Sequence, residues 1–350
     1  YAQLSRTDPS SNSGGGFGRL PSYLGGVIYT DDEKYQKVDF GDMDDANLTV
    51  QTPNGWVAMI EHYFVAAWLP QRGQPKELYS LVSNTGPRPV YSIGYKSLEA
   101  TRLSAGQSGT IASMLYAGPK EQYRLRAIEE GMSQEGLKLT VDYGWLTVVA
   151  SPLFWLLEKI HGAVGNWGWA IIFLTILNKA LFYPLSAASY KSMAAMKRLQ
   201  PRMATLKERY ADDKQKFQAA MMELYKAEKV NPAGGCLPIL IQIPVFLALY
   251  WVLLESVELR QADFALWWND LSSPDPYYVL PVLMGASMFF QQKLNPAPVD
   301  PMQQKIMMFM PLVLTFLFLS FPQGLVLYWV VNNCLSIAQQ WLINKRAGAT

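Results

Sequence analysis

Hydrophobic and polar positions follow two different patterns along this chain, and the change comes near Asp142. From Val27 to Ala117, short runs rich in Tyr, Val, Ile, Trp and Thr alternate with turn signals at Pro53-Asn54-Gly55, Gln71-Arg72-Gly73 and Asn84-Thr85-Gly86-Pro87. β-Branched and aromatic residues suit a half-buried pleated surface, and Pro, Gly and Asn punctuate it, so the stretch predicts an antiparallel β domain. Leu125, Ile128 and Met132 share one helical face within Lys120–Met132, which predicts a closing helix. The first residues are polar, with a Ser/Gly tract from Ser10 to Gly16, and predict a flexible linker over 1–21 ahead of a β domain over 22–142. The chain opens at Tyr1 with neither an initiator Met nor a secretory signal, so the β domain reads as the C-terminal portion of something longer.

Beyond Asp142 the period becomes helical. Ser151-Pro152 has the chemistry of a cap and first turn, and Leu153, Leu156, Leu157, Ile160 and Val164 then share a face, with Glu158, Lys159 and His161 off it. This predicts an amphipathic helix within 143–166, lying in a membrane interface or, alternatively, packed on a soluble core. Five apolar blocks follow in the remaining 167–350 region: Trp167–Leu185, Leu237–Leu254, Tyr277–Phe290, Ile306–Phe321 and Leu325–Ile343. Each approaches the ~20 residues that a bilayer asks of a helix. The third and fourth are short, and Asn332 and Asn333 interrupt the fifth. Backbone groups in lipid must pair internally, so five transmembrane helices are expected.

Between the first two blocks, Ser186–Gly235 carries ten Lys and Arg residues, whereas Glu255–Pro276 carries only Arg260 and Ser320–Gly324 none. Basic loops stay on the cytoplasmic side, which puts 186–235 inside and the β domain outside. Met193, Met196, Leu199, Met203, Leu206 and Tyr210 form one helical stripe in that loop. Phe217, Met221, Leu224 and Tyr225 form another after Ala211-Asp212-Asp213, so the loop predicts a cytoplasmic helical hairpin. Its methionines suit either the hairpin seam or adaptable apolar contact.

Charge separates the halves further: residues 1–150 carry 13 basic and 16 acidic side chains, and residues 151–350 carry 17 and 12. A net charge of +2 excludes a whole-chain nucleic-acid binder, and no specific DNA partner is expected. Two cysteines and two histidines exclude a disulfide scaffold, a thiolate zinc site and a multi-histidine metal centre. The HExxH, GxSxG, Walker and opening GxGxxG motifs are missing, so no enzyme, catalytic residue or cofactor is expected.

Lys179 is the unusual residue, because the first apolar block continues on both sides of it. A Lys at a span centre costs roughly 2.5–3.5 kcal/mol on insertion scales, so it faces a polar cavity or partner, or snorkels to the interface. Thr175 one turn earlier, Gln242, Asn332 and Asn333 are the other polar groups available to such a cavity, although Gln242 alone also suits a helix-to-helix hydrogen bond. No acid lies deep in a span to pair with Lys179.

Several strings resemble the YidC/Oxa/Alb family of membrane-protein insertases: Asn231-Pro232-Ala233-Gly234-Gly235-Cys236-Leu237-Pro238, Gln242-Ile243-Pro244-Val245-Phe246, Ser256-Val257-Glu258-Leu259-Arg260-Gln261, Asp275-Pro276-Tyr277-Tyr278 and Gly324-Leu325-Val326-Leu327-Tyr328-Trp329. The resemblance covers about Gly26 to Asn344. It implies an inner-membrane protein with a periplasmic β-sandwich domain, five core spans, a cytoplasmic hairpin and a hydrophilic groove open to cytoplasm and lipid. It further implies that an N-terminal span and the early part of the periplasmic domain precede Tyr1. Lys179 takes the place of a basic residue that is usually Arg in the family, which keeps the charge and loses the bidentate fork. Trp329 matches a substrate-facing aromatic position, with Tyr328 beside it, and Gln242 and Thr175 match groove-lining positions.

The expected function is that of an insertase and chaperone. A hydrophilic nascent segment rests near Lys179, Thr175, Gln242, Asn332 and Asn333, while its apolar flank meets Ile243, Phe246 and Trp329 on the way into lipid. The implied partners are nascent membrane proteins, the Sec translocon, the ribosome through the basic hairpin and C-terminus, and the bilayer. Two rivals remain from the residues alone: an ion-coupled transporter using Lys179, which calls for paired acids and an inverted repeat that the spans do not display, and a membrane-anchored periplasmic carbohydrate-binding protein. The charge asymmetry generates a first test. Asp212→Cys should resist impermeant thiol reagents added outside intact cells, and labelling from outside would reverse the topology.

Overall fold

The computed structural model describes residues 1–7, 23–100, 102–210, 213–228, 230, 237–295 and 301–346. It divides into two compact units, Tyr1–Asp142 with Glu255–Glu258, and Tyr143–Leu254 with Leu259–Thr350.

The first unit contains β1 (Ala2–Thr7), β2 (Gly25–Thr30), β3 (Lys34–Val38), α1 (Phe40–Asp45), β4 (Thr49–Thr52), β5 (Gly55–Ile60), β6 (Phe64–Pro70), β7 (Lys76–Ser83), β8 (Val90–Ser97), β9 (Ser113–Pro119) and α2 (Gln122–Met132). The strands form two antiparallel sheets, β1-β8-β7-β4 and β3-β2-β5-β6-β9. Ile28, Val57 and Met59 of the larger sheet meet Leu78, Tyr91 and Ile93 of the smaller, the sandwich that the alternating pattern predicts. The turns at Pro53–Gly55 and Gln71–Gly73 cross between the sheets, from β4 to β5 and from β6 to β7, whereas Asn84–Pro87 joins the paired strands β7 and β8.

β2 and β5 are buried along their whole lengths, because the segment after α2 covers the second face of their sheet. There Trp56 stacks on Tyr29 with ring centroids 5.8 Å apart. The Trp56 indole donates to the Glu135 carbonyl (2.7 Å), and Gln134 donates to that of Pro70 (2.9 Å). Gly136 has φ +85°, and a Cβ there would meet the Tyr29 ring at 2.2 Å, so this lid requires glycine. Glu258 accepts from the Gln122 amide at the start of α2 (3.1 Å), and Glu255 lies 3.7 Å from the buried Lys120 ammonium.

The linker expected over 1–21 needs correction at its start, since Ala2–Thr7 pairs along β8 from Ala2↔Tyr95 to Thr7↔Val90. A row of polar residues can hold an edge strand because the ladder is made by backbone, and only Leu4 reaches the sandwich core. The rest of the expected linker, including Ser10–Gly16, lies outside the described residues.

The second unit is helical: α3 (Thr147–Val164), α4 (Trp167–Leu181), α5 (Tyr183–Arg209), α6 (Lys214–Ala227), α7 (Leu237–Glu255, whose last residue groups with the first unit), α8 (Val279–Leu294), α9 (Pro301–Phe318) and α10 (Gln323–Arg346). α10 packs on α8, α4 and α5, α8 on α9, and α3 on α4. A Cβ at Gly285 would sit 2.0 Å from the Thr315 hydroxyl, so glycine is what lets α8 and α9 approach. Leu199, Met203 and Tyr225 form the seam between α5 and α6, with Met196, Met221 and Leu224 packed on it. Met193 lies outside that seam, in the cavity described below, and Met222 is exposed.

Three boundaries differ from the pattern. α3 begins at Thr147, so Ser151 and Pro152 lie inside it rather than at its start. Burial of Leu146, Ala150, Phe154 and Leu157 along one stripe outweighs the backbone bond that Pro152 forgoes. Of the face expected from Leu153 to Val164, only Leu157 is buried. The first apolar block is not one rod, because α4 ends at Leu181 and α5 leaves at 67°. α10 runs unbroken through Asn332 and Asn333, since a helix needs backbone pairing and not apolar side chains. Among the described residues no single helix is long and apolar enough to cross a membrane, whereas α4 and α5 pass that test as a bent pair.

A network of hydrogen bonds holds the segment between α7 and α8. Asp275, 1% exposed, accepts from the Trp267 indole (3.2 Å) and from the amides of Tyr277 (3.1 Å) and Leu280 (2.8 Å), the last at the start of α8. Asn166 caps α4 at Trp169 (3.1 Å) and donates to the carbonyls of Asp263 (3.0 Å) and Phe264 (3.2 Å). The amides of Gln323 and Gly324, opening α10, donate to Ser273 (2.8 Å) and Leu271 (3.0 Å), and the Gln323 side chain reaches the Asp270 carbonyl. One loop therefore ties together the first turns of three helices.

The β unit generates a pH test. Lys76 is 2% exposed, and its ammonium donates to the carbonyls of Pro53 (2.8 Å) and Gln71 (2.7 Å). Burial, with the Arg72 charge nearby, pushes its pKa down from 10.5 to about 8. Between those values the unfolded chain binds the proton and the folded chain does not, so this residue makes stability rise with pH across that window. The buried Lys120 is also pushed down and acts in the same direction, so the diagnostic quantity is a difference. Lys76→Met should flatten the rise in unfolding midpoint between pH 8 and 10.5, and an unchanged slope would refute the assignment.

Candidate functional site: a polar cavity between helices

α10 carries a polar row at four-residue spacing, Asn332, Ser336, Gln340 and Asn344, with Asn333 and Gln339 beside it. All but Asn332 are buried. Four residues overshoots one helical turn by about 40°, so the row winds gradually across the face that α10 turns to its neighbouring helices.

Those helices supply complementary groups. Asn333 donates to the Ser287 hydroxyl of α8 at 3.0 Å, and Gln242 of α7 donates to the Asn332 carboxamide oxygen. Gln340 donates to Asn295, just past α8, at 2.9 Å. Lys179 of α4 donates to the Ser336 hydroxyl at 2.7 Å, and Ser336 donates on to the Asn332 carbonyl at 2.7 Å. The ammonium is thus held by a neutral oxygen, and among the described residues no acid forms an ion pair with it.

These contacts edge an open cavity of about 450 Å³. Lys179, Gln242, Asn332, Asn333 and Ser336 line it together with Ser186, Ser189, Gln291, Gln292 and Asn295. Its apolar wall comprises Ile243, Phe246 and Trp329 and the methionines 193, 288, 307 and 310. Phe246 meets Trp329 edge-on at 4.5 Å and Tyr328 at 6.4 Å, while Phe318 supports Trp329 from behind at 5.1 Å. Lys179 is the one charged group among the described lining residues, so an electropositive point sits in a neutral polar field.

Of the nine residues singled out from the sequence, eight line this cavity: Lys179, Gln242, Ile243, Phe246, Tyr328, Trp329, Asn332 and Asn333. Thr175 does not. It is fully buried, and its hydroxyl donates to the Ile171 carbonyl four residues back at 2.7 Å. A short hydroxyl satisfies itself on its own helix, whereas the long Lys179 stem on the same face reaches across to α10. Ser336 and Gln340 were missed, although their spacing from Asn332 was readable. Ser186, Ser189 and Gln292 had no such signal, since only packing brings them here. Among the described residues no three His, Cys, Asp or Glu side chains gather in a metal-binding group.

Comparison with known proteins adds a second line of observation. A family model described as 60Kd inner membrane protein matches residues 159–349, and one described as YidC periplasmic domain matches residues 1–156. The chain is 54% identical over 359 residues to the membrane protein insertase YidC of Pseudomonas fluorescens strain Pf-5, covering 100% of this chain and 61% of that protein. It is 56% identical over 348 residues to the protein of the same name from Aromatoleum aromaticum, covering 99% and 61%. The chain therefore spans about three fifths of the length of these relatives. A solved structure described as an active YidC insertase with its first transmembrane domain resolved aligns at TM-score 0.52 and 19% identity, over 96% of this chain and 78% of that one, and so shares the fold.

The Asn333–Ser287 contact generates the next test. A double-mutant cycle between Asn333→Ala and Ser287→Ala should return a coupling of about 0.6 kcal/mol, the average for interhelical hydrogen bonds in a membrane protein, and no more than about 1.7 kcal/mol. Unfolding in detergent measures it, and additive effects would mean that the two side chains do not support each other.

Proposed function

Because this chain belongs to the family of the 60Kd inner membrane protein, we propose that its polar cavity receives hydrophilic stretches of nascent membrane proteins and that the chain works as a membrane-protein insertase and chaperone. The observation that carries this reading is the cavity itself: about 450 Å³, open, lined by amides and hydroxyls around one cation, and walled by Ile243, Phe246 and Trp329. A polar segment placed there exchanges water for the side chains of Gln242, Asn332 and Ser336, so the apolar distance left to cross is shorter. The adjoining hydrophobic segment slides along the aromatic wall into lipid, driven by roughly −0.3 to −0.6 kcal/mol per Leu, Ile, Phe or Val near a span centre.

In this reading α4 with the start of α5, α7, α8, α9 and α10 are five spans of the bacterial inner membrane. The exposed apolar side chains of α9, such as Phe316 at 78% and Leu312 at 68%, support a lipid-facing surface. α3 lies in the interface with Val148 and Trp155 outward. The remainder of α5 and α6 forms the cytoplasmic hairpin, whose basic residues and those of the C-terminus suit an anionic ribosome surface, while the β unit is periplasmic and available to the Sec translocon. The names of the relatives favour insertion over transport or glycan binding. The cavity also lacks, among its described lining residues, the paired acids of an ion-coupled carrier.

Charge at Lys179 provides the test. Lys179→Arg should retain insertion because the cation is kept, and Lys179→Glu should depress insertion of acidic segments most, neutral ones less and basic ones least. A hydrated cavity screens charge, so the loss should be modest. Insertion of the three segment types into vesicles decides it. Equal insertion of all three by Lys179→Glu at normal protein levels would remove charge from the mechanism, and failure of Lys179→Ala with every substrate would transfer the role to cavity hydration.

A further inference from the structure

The loop between α7 and α8 holds three of the five positive-φ non-glycine residues among those described, Gln261, Leu266 and Tyr278, each at 56°. L side chains avoid this conformation, and it persists where surrounding contacts impose it. Around Leu266 those contacts are plain: the Phe264 amide donates to the Trp268 carbonyl at 2.8 Å, and the Trp268 amide to that of Ala265 at 3.0 Å. The tight turn they close presents the Leu266 side chain at its apex, 77% exposed. In water Asn or Gly would serve such a turn better, since a branched apolar side chain gains nothing there.

The apex is not isolated. Phe264 meets Trp169 of α4 edge-on at 5.9 Å, and Trp267 meets Tyr277 edge-on at 5.4 Å. From Trp169 the exposed stripe continues down α4 through Phe173 and Leu177, and from Tyr277 it continues on α8 through Val282 and Leu283. We propose that Phe264–Trp268 is a wedge seated in the outer leaflet, with its Trp rings at headgroup level and Leu266 reaching the acyl boundary. This rests on the reading that α4 and α8 cross the membrane. Lipid is the occupant because the apolar surface of the wedge is continuous with the faces those helices turn to lipid, Trp and Tyr mark that border, and Phe264–Trp268 carries no charge. Asn166, Asp275 and Gln323 tie the same loop to the first turns of α4, α8 and α10, so the depth of the wedge sets the depth of the cavity.

Spin labels on the full chain, with Cys236 and Cys334 replaced by Ser, in vesicles of phosphatidylethanolamine and phosphatidylglycerol test this. Leu266→Cys is compared with the exposed Asp32→Cys of the β unit and Phe316→Cys of α9. The label at 266 should collide with oxygen several-fold more, relative to an aqueous nickel chelate, than the label at 32, and should approach that at 316. Accessibility at 266 equal to that at 32, with 316 still lipid-like, overturns the wedge alone; exclusion of both reagents from 266 overturns lipid as occupant in favour of protein. Aqueous accessibility at 316 overturns the membrane reading with it. Leu266→Asn, which suits the left-handed turn, should raise nickel accessibility at Tyr277→Cys several-fold, and no change there would deny Leu266 control of depth.

Discussion

Helix ends leave amides and carbonyls without partners, and where such an end is packed inside the protein its neighbours must supply them. The loop after α7 answers that constraint for three helices at once. Asp275 serves α8, the Asn166 side chain caps α4 and reaches back to the loop, and the carbonyls of Leu271 and Ser273 receive the amides that open α10. Because α10 is the helix around which α4, α5 and α8 gather, fixing its first turn fixes the rotation of its polar row, and with it the direction in which Asn332 and Ser336 point.

The cavity follows from a mismatch. α10 offers a polar row longer than α8 alone can satisfy, so Asn333 and Gln340 find partners there while Asn332 and Ser336 turn to Gln242 of α7 and Lys179 of α4. Filling the remaining space with apolar side chains would strand these groups, and closing it completely would bury a cation without an anion. An open space walled by methionine and aromatic side chains keeps the polar row and the apolar faces both satisfied, and a flexible thioether wall adapts to varied apolar shapes.

Much of this was legible in the chain, and the failures share a cause. Alternation and turn residues revealed the β unit because each strand reports its own burial, yet β1 was hidden since polar side chains say nothing about a backbone ladder. Lys179, Gln242 and the Asn pair stood out against apolar surroundings, and packing did bring them together. Thr175 was misjudged because its nearest acceptor is its own helix. Ser186 and Gln292 were invisible because their meaning comes from neighbours far along the chain. The break at Phe182 was overlooked because apolar residues continue through it, although Pro184 in the first turn of α5 was a readable signal for it.

The four-residue spacing on α10 carries a consequence for how this family can vary. Each residue turns the helix by ~100°, so inserting or deleting a single residue between Gly324 and Asn332 would swing the entire row from Asn332 to Asn344 by that angle, away from Gln242, Lys179 and Asn295. Side chains on this helix can be exchanged one at a time, but its length ahead of Asn332 cannot drift. Gaps among relatives should therefore collect in the loops and at the chain ends, and spare that helix.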